Sequence, residues 1–94
     1  MEVKEAVQKA KVELLALFAE EAVASTVRLE EVSLSDSNSW MVTLSYLRNP
    51  TFDAVSGGLA AVAASFAQSK RVYKIVQIDK STGEVASIKI RLND

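Results

Sequence analysis

Cysteine and histidine are both missing from these 94 residues. Those two absences exclude disulfides, thiolate and imidazole metal sites, cysteine nucleophiles and every histidine-based triad. Without cysteine the redox compartment stays open. No sign of charge dominates, because 11 basic and 12 acidic side chains leave a net of −1. Such a balance gives no global field toward nucleic acid or a membrane surface. Long apolar runs are lacking too: the longest uncharged stretch, residues 54–69, is rich in Ala, Ser and Gly. It is too short and too weakly apolar to span a bilayer. The opening Met1-Glu2-Val3-Lys4-Glu5 is no secretory signal. The expected location is therefore the cytoplasm, unless a leader has been removed.

What is present points to one folded domain. Nine Leu, twelve Val, four Ile and three Phe exceed what a disordered chain carries. A domain of this size buries roughly 60–65% of its unfolded surface, enough for one modest core.

Residues 2–18 predict a helix, since Val3, Ala6, Val7, Ala10, Leu14, Leu17 and Phe18 recur at helical spacing. Glu5 and Lys9 stand in the favourable i,i+4 order. Residues 26–35 alternate as a strand whose phase slips at Glu30-Glu31, and a β-bulge there would restore one inward face. After the turn cluster 35–39, residues 40–47 alternate Trp40, Val42, Leu44 and Tyr46 against Met41, Thr43, Ser45 and Leu47. These two strands predict a hairpin, stopped by Asn49-Pro50.

Residues 72–79 and 84–92 predict a second hairpin around the loop 80–83, with Gly83 at positive φ. Pairing Asp79 with Glu84 puts Ile75 by Ile88 and Tyr73 by Ile90. On that register Tyr73, Ile75, Ala86, Ile88, Ile90 and Leu92 form the core face, with Ile88 fully buried against Leu14 or Leu17. The opposite face carries Val72, Lys74, Val76, Ile78, Val85, Ser87, Lys89 and Arg91. Apolar groups on adjoining strands form a patch when left in water. Val72, Lys74, Val76, Ile78, Val85, Lys89 and Arg91 are therefore the candidate interaction face. A homodimer is its simplest cover. The insert 51–70 between the hairpins fits a helix over 59–68 or a mobile Gly/Ser-rich loop, and both readings stay open.

Candidate catalytic groups are weak. Glu20-Glu21 and Glu30-Glu31 are sequence neighbours, which on a strand point to opposite faces instead of converging on a cleft. Ser35, Ser37, Ser39 and Ser81 occupy turns with no base beside them. Gly57-Gly58 matches no phosphate loop, and Asp36-Ser37-Asn38 lacks the Gly and terminal Glu of a calcium loop. No catalytic residue, cofactor or metal is assigned. Charge is uneven along the chain, with a net of −4 over residues 1–36 and +4 over 70–92. The basic end lacks exposed aromatics for base stacking, so nucleic acid is not an expected partner.

The stretch VYKIVQIDKSTGEVASIKI, above all Asp79-x-x-Thr82-Gly83-Glu84-Val85, resembles PepSY-like domains, as do the preceding amphipathic helix and the strand opening at Trp40. The resemblance spans most of the chain outside 51–70. It implies a small α+β module of cystatin-like shape, often extracytoplasmic and linked to peptidase inhibition or regulation, with no catalytic residues. The expected fold is α+β, one N-terminal helix on a four-stranded antiparallel sheet of two hairpins. Two function classes follow. One is a non-enzymatic module binding a protein or peptide by a sheet face, an edge strand or the insert. The other is a cone-shaped domain that binds a small ligand or catalyses a reaction. A deep pocket with convergent polar groups marks the second; an apolar face or open edge marks the first. The missing His and Cys favour the first.

Overall fold

The helix forms where the apolar stripe runs. In the computed structural model, which describes residues 1–49 and 71–91, α1 spans Val3–Leu17, capped by Glu2 and Phe18. Glu5 accepts the Glu2 backbone N–H at 3.4 Å, the return half of a capping box. It is thereby turned away from Lys9, which pairs with Glu13 at 3.6 Å instead. Ala6, Ala10 and Leu14 are buried. Their four-residue spacing makes one row along the helix. Two alanines in that row let the helix backbone lie close to the strands. Val3 and Leu17, at the ends of the stripe, remain exposed.

A single 3₁₀ turn, Ala24–Thr26, leads into β1 (Arg28–Leu34), followed by β2 (Ser39–Tyr46), β3 (Val72–Asp79) and β4 (Val85–Arg91). The sheet order is β1-β2-β3-β4, antiparallel throughout. α1 packs on one face, giving the expected α+β architecture. The helix-or-loop alternative for 59–68 and the placement of Leu92 lie outside the described residues.

The first hairpin follows the sequence reading. Its register shifts between Leu29 and Glu31, so Glu30 is the extra residue of a bulge. Leu29, Val32 and Leu34 then lie opposite Leu44, Val42 and Trp40, on the helix side. Ser35 donates to the Ser39 carbonyl at 2.8 Å and Asn38 to the Ser35 carbonyl at 3.1 Å. Asn38 takes φ 61°, the left-handed closing position of a three-residue loop.

The second hairpin corrects the expected face. Its loop is as predicted: Asp79 donates to the Glu84 carbonyl at 2.9 Å, and Gly83, at φ 76°, donates to the Asp79 carbonyl at 2.8 Å. Beyond the loop, however, Ile78 pairs with Val85 and Gln77 with Ser87, so Ala86 is a second bulge. Ile88 therefore meets Val76, and Ile90 meets Lys74. Val76 and Ile78 are fully buried under α1, and Lys74 is only 6% exposed. Val72 and Val85 pack against the same core. Tyr73 and Ile75, assigned to the core face, stand on the other side of the sheet, opposite Arg91 and Lys89. Ile88 does face the helix, but it is half-buried, and Leu17 is exposed. The bulge is the physical reason. It brings Val85, Ile88 and Ile90 into one phase with Val72, Val76 and Ile78, so both strands bury aliphatic groups together.

Lys74 is buried on the α1 side of the sheet, and the last turn of α1 has no basic residue of its own. Its Nζ lies 4.4 Å from the centroid of the Phe18 ring. There it supplies the cation that a helix C-terminus favours. At the other end of the helix, the Met1 ammonium donates to the Lys80 carbonyl at 3.0 Å and Trp40 Nε1 donates to the Met1 carbonyl at 3.1 Å. Lys80 also donates its N–H to the Asn38 carbonyl at 3.1 Å. The chain start thus ties both hairpin turns together.

Candidate functional site

The expected interaction face is divided between the two sides of the sheet. Val72, Lys74, Val76, Ile78 and Val85 lie under the helix, and only Lys89 and Arg91 reach the opposite face, exposed. Those seven residues do not form one surface.

Polar contacts gather on the sheet face away from α1, near the Glu30 bulge. Glu30 accepts from Ser45 Oγ and from Arg28 Nε, each at 2.5 Å. Arg71 donates to Ser45 Oγ at 2.7 Å, to the Ser45 carbonyl at 3.2 Å and to the Thr26 carbonyl. The Ser45 hydroxyl, and then Arg28, hold the Glu30 carboxyl below its usual range. A carboxylate stabilised in its charged form is a poor proton acceptor, and Ser45 is fully buried. This chain of contacts locks the bulge in place and offers no accessible nucleophile.

Near the helix C-terminus, Ala16 to Glu21 line a cavity of about 400 Å³. Tyr46 donates its hydroxyl to Glu21 beside it. Burial, and then that carboxylate, push the Tyr46 phenol well above its usual value. The cavity's described lining sets the Glu20 and Glu21 carboxylates beside the apolar side chains of Ala16, Leu17, Phe18 and Ala19. Among the described residues no cluster of three metal-ligating side chains occurs. None of the described helices is long and apolar enough to cross a membrane.

A second concavity lies between α1 and β1. Val3, Lys4, Val7, Gln8, Leu29 and Val32 line a groove of about 290 Å³. β1 is an edge of the sheet, and no described strand pairs with its outer side. The hydrogen-bond phase of that edge follows from the turn. Ser35 and Ser39 form a hydrogen-bonded pair, and antiparallel pairs alternate. Ser33 and Glu31 therefore bond inward to β2, while Leu34 and Val32 turn their N–H and C=O groups outward. The same alternation, reset at Ala86, turns the backbone groups of Ile88 and Ile90 outward on β4.

The sequence reading named an edge strand among its binding modes but not which one, because edge status depends on how the two hairpins pair with each other. The phase of β1 was nevertheless legible from the slip at Glu30-Glu31. No family model matches the chain, and no curated protein or solved structure matches it either.

Proposed function

We propose that this chain is a non-enzymatic protein- or peptide-binding module that takes an extended segment along the outer edge of β1. The observation that carries the reading is the coincidence of two features there. Outward backbone groups at Val32 and Leu34 give a strand something to pair with. The groove of Val3, Val7, Leu29 and Val32 gives its alternate side chains something apolar to enter. The PepSY-like resemblance accords with the reading, since such modules are linked to peptidase inhibition and regulation. Three of the large apolar side chains left exposed, Val3, Leu29 and Leu34, also cluster along this flank.

The test uses proline as a backbone probe. Leu34→Pro removes an outward N–H without touching the inner ladder, because proline is tolerated where the strand's N–H faces outward. Titration with extended peptides of alternating apolar residues, followed by amide chemical shifts, should perturb residues 29–34 in the wild type. It should also perturb Leu34→Ala, which keeps the N–H, and fail for Leu34→Pro. Perturbation confined to residues 16–21 would overturn the reading in favour of a small-ligand site at the helix C-terminus.

A further inference from the structure

Both edges of the sheet end in the same way, and they are complementary. Between its bulge and its turn β1 offers Glu31-Val32-Ser33-Leu34, and beyond its own bulge β4 offers Ser87-Ile88-Lys89-Ile90-Arg91. On β1 the residues with outward backbone groups, Val32 and Leu34, carry their side chains on the helix side. The same holds on β4 for Ile88 and Ile90. Leu34 is 47% exposed and Ile90 66%. No described strand covers either edge.

From this we infer that the segment received by β1 is β4 of a second copy of the chain, an inference that rests on the strand-addition reading above. An antiparallel sheet with an even number of strands has outer strands running in opposite directions. A copy shifted sideways therefore sets its β4 antiparallel to β1 and keeps both helices on the same side. One register satisfies every pair. Val32 meets Ile90 and Leu34 meets Ile88 through the outward backbone groups, placing aliphatic against aliphatic beside the groove. On the other face Glu31 meets Arg91 and Ser33 meets Lys89. The bulges at Glu30 and Ala86 fall just outside this window, so neither interrupts it.

Charge selects this pairing over its alternatives. Joining two β1 edges brings the Glu30 and Glu31 regions together, and joining two β4 edges opposes Lys89 and Arg91. Glu31 and Arg91 already attract each other within one molecule, at 3.9 Å. β1 and β4 lie three strand gaps apart, roughly 14 Å at about 4.8 Å each, so those side chains reach toward each other across the sheet face away from α1. In the proposed pairing the same two groups become direct cross-strand neighbours. The contact is head-to-tail, so association does not close at a dimer.

Sedimentation equilibrium over a wide concentration range tests the proposal. The wild-type mass should climb without a plateau at the dimer, and high salt should weaken association by about fivefold, the reach of one surface ion pair. Leu34→Pro blocks the β1 edge and Ile90→Pro the β4 edge, so each alone should be monomeric. Their equimolar mixture should stop at a one-to-one dimer, because one intact edge of each kind remains. Should a proline variant lose its circular dichroism, Glu31→Arg and Arg91→Glu replace the pair: each alone should disperse, and mixing should restore assembly. Association that persists in Ile90→Pro alone would overturn the proposal in favour of β1 pairing with itself. A wild type monomeric at all concentrations would also overturn it. Titrating Ile90→Pro with an extended peptide then separates the two readings. Binding at residues 29–34 leaves strand addition standing without self-association, and no binding removes both.

Discussion

The two hairpins are built on one plan, yet their sequences announce it unequally. Each turn is closed by a left-handed residue, Asn38 at φ 61° and Gly83 at φ 76°. Each outer strand carries one bulge, at Glu30 and at Ala86. In the first hairpin the bulged residue and its neighbour are both charged, so two consecutive polar groups break the alternation visibly. In the second the interruption is Ala86-Ser87, small residues compatible with either face. A bulge is legible when it interrupts a strong pattern and silent when it falls on residues that pattern leaves neutral. The consequence is large, because a one-residue slip exchanges the two faces of a strand.

The sharpest way to break this comparison is to charge the inner face of β3. Val76 is fully buried opposite Val42 and Ile88. Val76→Asp places a carboxylate there with no described partner and should cost more than about 4 kcal/mol, leaving the chain unfolded by circular dichroism at 25 °C. Lys89→Asp, exposed on the other face, should change stability by no more than about 0.5 kcal/mol in urea denaturation. Equal losses would mean that the second hairpin has no single inner face.

Lys74 shows why that face was hard to read. A lysine in the phase of Val72, Val76 and Ile78 marks the whole phase as solvent-facing, since lysine is almost never fully buried unless paired. Its company here is the Phe18 ring and the C-terminal end of α1, a helix-to-sheet contact that strand periodicity does not carry. The helix itself, the turn cluster 35–39, the Gly83 turn and the Glu30 bulge were legible because each rests on local rules: the 3.6-residue period, turn-forming residue types, a left-handed glycine and the two-residue period. The candidate edges were not, because the pairing of β2 with β3 that makes β1 and β4 the outer strands is non-local.

A moderate effect should distinguish the two turns. Alanine at a left-handed position costs about 1–2 kcal/mol. Gly83→Ala should lose that much, because glycine pays nothing for φ 76° and a Cβ there would meet Met1 Cε at 2.8 Å. The methionine terminus can swing aside, so backbone strain sets the magnitude. Asn38→Ala should lose less, since asparagine already bears part of the strain, although its amide gives up a 3.2 Å bond to Ser81. Asn38→Gly should be neutral or slightly stabilising. Thermal denaturation of the three variants gives the order, and a larger loss for Asn38→Ala than for Gly83→Ala would show that side-chain bonding dominates the first turn.

The smallest effect separates the hairpins by what holds their carboxylates. Glu30 lies below its ordinary value near 4.5 through the Ser45 hydroxyl first and Arg28 second. Asp79 lies below its ordinary value near 3.8 through the backbone N–H groups of Thr82 and Ser81, bonds of 3.0 and 2.8 Å. Both groups favour ionisation more in the folded than in the unfolded chain. Each therefore contributes stability that is present above its ordinary value and lost as pH falls through its lowered one. Denaturation midpoints compared at pH 6 and pH 3 should differ less in Glu30→Gln and in Asp79→Asn than in the wild type. Salt should then part the two. The Arg28–Glu30 pair is exposed and screened by added salt, whereas short-range bonds to backbone N–H groups are not. Raising the ionic strength should shrink the Glu30 share of the acid dependence and leave the Asp79 share in place. If salt diminishes both alike, Asp79 is held by the general charge of its surroundings and the two N–H bonds are not its main support. If salt moves neither, the Ser45 hydroxyl alone carries Glu30, and Arg28 is a bystander at the bulge.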